Sequence, residues 1–180
     1  LVYLSNSSVA FVGMYVSTIT NCKVSVSARQ LPILVEPEIK LPPTAVDKNK
    51  RDALFICQGK NKFEIFFEAL IPLFIPKLYV ENFLCARSKA LNLYPRNPTR
   101  IFTSTAYQAN EGFKIWAAEQ KTKNVPLIIL QHGGNMGLSL RNQSEDHQLK
   151  IANQFLSWGW KRENYHNITK APPLQLLRKN

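Results

Sequence analysis

Cysteine and acidic side chains are scarce in this sequence. The three cysteines, Cys22, Cys57 and Cys85, are widely separated, and no Cys-x-x-Cys pair occurs. This spacing gives neither a zinc knuckle nor a disulfide framework, so we interpret all three as free thiols. Only 12 acidic residues oppose 23 basic ones, and the net charge is +11. Such an excess favours an anionic partner, namely nucleic acid, a phosphate-bearing substrate or an anionic membrane surface.

The sequence also lacks a long uninterrupted apolar run. No stretch reaches the roughly 20 apolar residues that a membrane-spanning helix needs. Residues 1–20 are uncharged, but serine, threonine and asparagine interrupt them, and no basic region precedes them as it would in a signal peptide. We therefore expect a cytoplasmic protein, with peripheral contact at the inner, anionic face of the plasma membrane. Basic and aromatic residues do not alternate in a stripe, which argues against nucleic-acid binding.

Composition divides the chain into zones. Residues 1–35 are apolar and rich in Ser, Thr and Val. They are followed by a stretch with three prolines and then by a charged stretch that ends at residue 52. We assign 1–52 to an apolar segment and linker, 53–170 to a Rossmann-like α/β domain, and 171–180 to the start of a crossover to a second domain. Because the chain begins at Leu1 and turns apolar again at its end, we expect an internal fragment of a longer protein.

Hydrophobic periodicity predicts two helices early in the domain. Apolar residues from Phe63 to Leu70 recur at helical spacing, which predicts a helix that starts at Lys62 and is closed by Pro72 and Pro76. A second helix is predicted from Lys77 to Leu91.

A strand–helix–strand unit comes next. Residues 99–104 have the pattern of a strand, 110–121 that of a helix capped by Asn110, and 125–130 that of a strand buried on both faces. A short helix starting at Ser144 and a last strand over 154–158 follow. This order predicts an α/β fold, a Rossmann-like parallel sheet with flanking helices.

Two polar loops follow buried strands of the predicted sheet, at residues 103–110 and 131–137. Ligands of open parallel sheets bind at the carboxyl ends of the strands. In the second loop three glycines allow close backbone approach to a ligand, and free N–H groups there can cradle phosphate. His132 would act as a general base on an acceptor hydroxyl or as a cation that holds phosphate. A tight turn that merely needs its glycines explains the pattern equally well, since it is neither Gly-x-Gly-x-x-Gly nor a Walker loop.

The stretch from Ser144 to His147 also has two interpretations. A helix start explains its acids, with Ser144 as N-cap and Glu145 in the first turn. Alternatively, Glu145 or His147 is a second acid/base in the same cleft. A metal site built from His132, Asp146 and His147 lacks a known ligand spacing, so no metal is predicted. Trp158 and Trp160 are either packing residues or an aromatic wall for a ligand.

Six motifs in a consistent order cover about residues 55–165. They are Ile71-Pro72-x-x-x-Pro76-Lys77-x-Tyr79-x-Glu81-Asn82-Phe83, Ile101-Phe102-Thr103-Ser104, Asn110-Glu111-x-Phe113-Lys114-Ile115-Trp116-Ala117-Ala118-Glu119, Gln131-His132-Gly133-Gly134-x-x-Gly137, Glu145-Asp146-His147 and Phe155-Leu156-x-Trp158-Gly159-Trp160. Together they resemble a bacterial family of transferases of surface-carbohydrate (lipopolysaccharide or O-antigen) biosynthesis. The sequence departs from the family pattern at Met136, where an aromatic residue is expected, and at Asn153, where an acidic one is expected.

The resemblance implies a GT-B-like architecture, in which two Rossmann-like domains face a cleft and this chain belongs to the first. Its His-Gly loop is similar to that of CDP-glycerol glycerophosphotransferases, where such a histidine acts in catalysis. The candidate catalytic residues are His132, Glu145 and His147. The candidate substrate-binding residues are Gln131, Gly133, Gly134, Gly137, Ser104, Asn110, Glu111 and Lys114. The implied partners are a nucleotide-activated donor and a glycan or lipid-linked acceptor, with no cofactor; the alternative is a non-catalytic glycan- or partner-binding module of the same fold.

Overall fold

The computed structural model describes residues 9–12 and 39–172. Cys22, most of the apolar segment and residues 173–180 of the predicted crossover lie outside the described residues. The strands are β1 (Val9–Val12), β2 (Arg100–Thr103), β3 (Leu127–Leu130), β4 (Gln154–Ser157) and β5 (Ile168–Lys170). The helices are α1 (Lys48–Asp52), α2 (Lys62–Phe74), α3 (Lys77–Val80), α4 (Phe83–Leu93), α5 (Ala106–Ala109), α6 (Glu111–Thr122) and α7 (Gln143–Ile151).

The five strands form one parallel sheet in the order in which they occur along the chain, β1-β2-β3-β4-β5. Ile101 pairs with Leu127 across β2 and β3, and Ile129 pairs with Phe155 across β3 and β4. With its flanking helices, this sheet confirms the predicted Rossmann-like α/β fold. Its first strand, β1, comes from the apolar segment and pairs with β2.

The core lies between the sheet and the helices. Right-handed crossovers that always step in the same direction place successive helices on the same face of a sheet. Accordingly, Trp116 of α6 and Leu149 of α7 share one buried cluster with Ile101, Ile129 and Phe155 of the strands. All four residues of β3 are buried, as its unbroken apolar run predicts. The predicted Asn110 cap is also confirmed, since its side chain accepts from the Phe113 N–H at 2.8 Å.

The predicted helix from Lys77 to Leu91 is wrong, because the structure divides it into α3 and α4. The break falls at Glu81 and Asn82, whose side chains bind the preceding linker. Glu81 accepts from the backbone N–H of Asp47, and Asn82 accepts from the hydroxyl of Thr44. Long-range hydrogen bonds therefore override the local helical pattern.

Three other element boundaries differ from the predictions. Of the two prolines predicted to close α2, Pro72 lies inside the helix, and the helix ends just before Pro76. Asn142, not Ser144, caps α7 and accepts from the Glu145 N–H at 3.2 Å. The strand predicted as the last is followed by β5, an edge strand too short to show a period. None of the helices in the described ranges is both long and apolar enough to cross a membrane.

Candidate functional site

The two predicted loops lie side by side at the carboxyl edge of the sheet. The first follows β2 and the second follows β3, and these strands are neighbours. His132 is the second residue after β3. The topology therefore brings the His-Gly loop next to the loop that contains α5.

His132 lies at this carboxyl edge of the sheet. The residue as a whole is exposed, but neighbouring atoms partly bury its imidazole, and this burial lowers its pKa from the ordinary 6.5. Its Nε2 lies 3.4 Å from the side-chain nitrogen of Gln108. A histidine with a lowered pKa is mostly neutral at pH 7 and can accept a proton, as a general base must.

Tyr107 joins the parts of the site. Its hydroxyl accepts from the Gln108 side chain at 3.2 Å and is also hydrogen-bonded to the Ser144 hydroxyl. Its ring lies 6.0 Å from that of His147, centroid to centroid. Burial raises the pKa of the Tyr107 phenol, so it stays protonated near neutral pH. Tyr107 thus bridges the surroundings of His132, through Gln108, to the exposed His147 of α7.

Gln131 supports the loop from inside the protein. It is buried, and its side-chain oxygen accepts from the Trp158 N–H at 2.7 Å and from the Trp160 indole N–H at 2.8 Å. Its side-chain nitrogen donates to the Gly133 carbonyl at 2.7 Å. Gln131 was predicted to bind substrate, but both of its polar side-chain atoms hold the loop against the end of β4.

Glu145 also supports the loop. It is fully buried, accepts from the Gly137 N–H at 2.6 Å and forms an ion pair with Arg162 at 2.5 Å. Arg162 additionally donates to the Ser139 carbonyl at 2.6 Å. Glu145 was predicted to be catalytic, and this arrangement suits a residue that positions the loop after His132.

The loop glycines have different surroundings. Gly137 has a φ of +82°, and a Cβ there would lie 2.6 Å from the Trp160 ring, so the fold itself requires glycine. A Cβ on Gly133 would lie 2.9 Å from the Asn135 side-chain oxygen, which can move aside. A Cβ on Gly134 would meet nothing within 4 Å. Gly134 therefore faces open space at the edge that carries His132.

The two departures from the family pattern have structural explanations. Met136 is 4% exposed and belongs to the hydrophobic core. The side-chain oxygen of Asn153 accepts from the Leu127 N–H at 3.0 Å. Both residues therefore stabilise the scaffold on which the loop is built.

The remaining substrate-binding candidates lie along the other loop and at the start of α6. Ser104 follows β2 and is half-buried. Asn110 caps α6, and Glu111 accepts from Lys114 at 2.6 Å and from the Tyr79 hydroxyl. Burial raises the pKa of Glu111, but these two hydrogen bonds outweigh it and leave the pKa below its usual value. The bond to Glu111 in turn raises the pKa of Tyr79 to about 12.

Sequence reasoning missed Tyr107 and Gln108. Both lie within the loop predicted from 103 to 110, in which the sequence indicates only Ser104 and Asn110 as substrate-binding candidates. A signal was present, since a tyrosine and a glutamine in the polar loop after a strand can form hydrogen bonds at the carboxyl edge. Among residues 9–12 and 39–172, no group of three or more His, Cys, Asp or Glu side chains is placed to hold a metal.

These features define a Rossmann-like α/β protein with a histidine–glycine loop at the carboxyl edge of its sheet. A model of the LIC12162 family transferase matches residues 1–180, and the chain belongs to that family. It is therefore a member of a transferase family, as the motifs predicted. No curated protein and no solved structure matched the chain.

Proposed function

We propose that this chain forms one wall of the active site of a GT-B-like transferase that makes a bacterial surface polysaccharide. The donor is a nucleotide-linked sugar or glycerol phosphate, and the acceptor is a hydroxyl of a glycan or of a lipid-linked glycan. The observation that carries the proposal is the position of His132. It is the second residue after a buried strand and lies at the carboxyl edge of the sheet, and its lowered pKa favours the neutral imidazole near pH 7.

The reaction requires one proton acceptor. The neutral imidazole of His132 takes the proton from the acceptor hydroxyl as that oxygen forms a bond to the donor's electrophilic carbon or phosphorus. The bond between that atom and the leaving phosphate oxygen breaks, and the nucleotide departs with the bonding electron pair. The imidazolium then returns its proton to solvent, so atoms and charge balance.

The surrounding residues divide into positioning and ligand-facing groups. Gln108 and Tyr107 fix the environment of the His132 ring, while Gln131 and Glu145 fix the loop. Gly134 faces open space, so a donor phosphate or an acceptor can approach its backbone closely. His147 faces solvent beside Tyr107 and is a second group for binding an anionic donor.

The test is a transfer assay on the full-length transferase that carries this chain and on its His132→Ala variant, since one wall of the active site alone is expected to be inactive. Release of nucleotide would be measured with UDP-, GDP- and CDP-linked donors and a membrane-extracted glycan acceptor. Loss of a general base lowers a rate by about 10²–10⁴-fold. His166→Ala is the matched control. His166 is exposed and precedes β5, so it lies at the amino ends of the strands, opposite the carboxyl edge that carries His132. Unchanged transfer by His132→Ala removes His132 from the mechanism, and donor binding without transfer by the unaltered protein favours a non-catalytic binding module.

A further inference from the structure

Helix α2 exposes a row of large apolar side chains. Phe63, Phe66, Phe67 and Phe74 are 73%, 60%, 58% and 75% exposed, and Leu73 is 71% exposed. Their spacing places them along one side of the helix, and Pro72, on another side, is buried. We call these five residues the α2 face. A contiguous apolar surface of this kind marks a site of interaction.

The acidic residues of α2 do not add negative charge to the α2 face. Glu64 accepts from the Lys60 N–H at 2.6 Å, and Glu68 accepts from the Gln58 and Gly59 N–H groups at 2.9 and 3.1 Å. Both carboxylates are thus hydrogen-bonded to the loop that precedes the helix. That loop is their partner, and the α2 face stays apolar.

Basic side chains border the α2 face. Lys60 and Lys62 are exposed, and neither forms an ion pair with another residue in the described part of the chain. At the other end of the helix a groove of about 520 Å³ combines apolar residues with Lys48, Lys77 and Asp52, and the Lys77 ammonium also donates to the Thr44 carbonyl at 2.9 Å. An apolar surface with lysines at both ends has the chemistry that an anionic lipid bilayer recognises.

We propose that the α2 face lies in the headgroup region of an anionic phospholipid bilayer and holds the protein on the membrane. A helix of 13 residues is about 20 Å long, too short for a hydrocarbon core of roughly 30 Å, so α2 lies in the plane of the surface. The phenylalanines insert among the acyl chains, and the lysines face lipid phosphates. The net charge of +11 supports attraction to the same surface. This docking goes beyond the transferase proposal and requires no chemistry at His132.

Vesicle co-sedimentation tests the proposal. The protein would be mixed with vesicles of phosphatidylcholine alone or of phosphatidylcholine with phosphatidylglycerol, and we expect sedimentation with the second kind. Replacing Phe63, Phe66 and Phe74 together by serine should weaken partition by about tenfold or more. Replacing Lys60 and Lys62 by alanine should weaken it by roughly fivefold for each lysine, and only at low salt.

Matched variants keep the test specific. Leu140→Ser removes a side chain that is 95% exposed but lies outside α2, and it should leave partition unchanged. His132→Ala should also bind vesicles normally, which separates this proposal from the transferase mechanism. Equal sedimentation of the triple serine variant and the unaltered protein overturns the proposal. Two other outcomes also overturn the proposal, because they would show that the α2 face packs against protein. One is a lower unfolding temperature of the triple serine variant. The other is that the unaltered protein is a dimer, and that the variant dissociates this dimer but still binds vesicles.

Discussion

The side-chain oxygen of Gln131 accepts the indole N–H of Trp160 at 2.8 Å, and the same oxygen accepts the backbone N–H of Trp158 at 2.7 Å. One buried amide therefore ties the His-Gly loop to the chain that leaves β4. The loop that presents His132 thus depends on a side chain that does not itself need to touch a ligand.

Gln131→Leu should destabilise the protein. The leucine has a similar volume but cannot accept either N–H, and a buried donor left without a partner costs about 1–3 kcal/mol. Urea denaturation followed by circular dichroism would measure the loss. Gln131→Glu keeps an acceptor oxygen, but it sets a buried carboxylate oxygen against the Gly133 carbonyl, so it should destabilise the protein as well. Equal stability of Gln131→Leu and the unaltered protein contradicts the assignment of Gln131 as a scaffold residue.

Alanine at Gly137 and at Gly134 should have opposite effects. Gly137→Ala places a Cβ against the Trp160 ring at a positive φ, which should cost at least about 1–2 kcal/mol. Gly134→Ala adds a methyl group in open space and should leave stability unchanged or raise it by about 0.4–1 kcal/mol. Thermal unfolding compares the two. If Gly134 lies against the substrate, Gly134→Ala lowers transfer in a stably folded protein; full transfer argues against that contact.

Buried Glu145 and half-buried Arg162 should be coupled energetically. Glu145→Gln removes the charge that Arg162 binds, and charge-assisted hydrogen bonds contribute about 1.5–3 kcal/mol. A double-mutant cycle with Arg162→Gln isolates the pair, because each single variant breaks the same contact. The second substitution should then cost little. Strictly additive losses would show that the two side chains act independently.

Activity should rise with pH through the titration of His132. A general base works when it is deprotonated, and burial lowers the pKa of His132. The midpoint of the acid limb of the plot of kcat/KM against pH should therefore lie below pH 6.5. Gln108→Ala opens the ring to water, so the limb should move upward toward 6.5. Rate measurements from pH 5 to 8, in about half-unit steps, resolve this shift. His166→Ala should leave the limb in place, and a limb above 6.5 in the unaltered protein contradicts a partly buried base.

The fold was predictable where the chain carries a strong period or an unbroken apolar run. Strand β3 and helix α6 follow directly from such patterns, and Asn110 caps α6 as expected. The break between α3 and α4 was not predictable, because it depends on Glu81 and Asn82 binding a linker more than 30 residues earlier in the chain. Propensity within a window carries no information about such a partner.

The location of the candidate site could be predicted from the sequence better than the role of each of its residues. A histidine after a buried strand indicates the carboxyl edge, and the structure places His132 there. The same glutamine and glutamate that resemble ligand contacts in the sequence prove to be bonded within the protein, through Trp160 and Arg162. Roles of this kind follow from three-dimensional neighbours, and the contacts of Tyr107 and Gln108 with Ser144 and His132 assign theirs.

The three anchors of the His-Gly loop also bear on binding affinity. Gln131 holds its start, Trp160 packs against Gly137, and Glu145 binds the Gly137 N–H. A flexible loop loses conformational entropy whenever a ligand orders it, and that loss reduces the affinity. Here the loss occurs once, during folding. A substrate that binds at this loop would therefore meet a segment that is already ordered, so more of the interaction free energy would remain for binding.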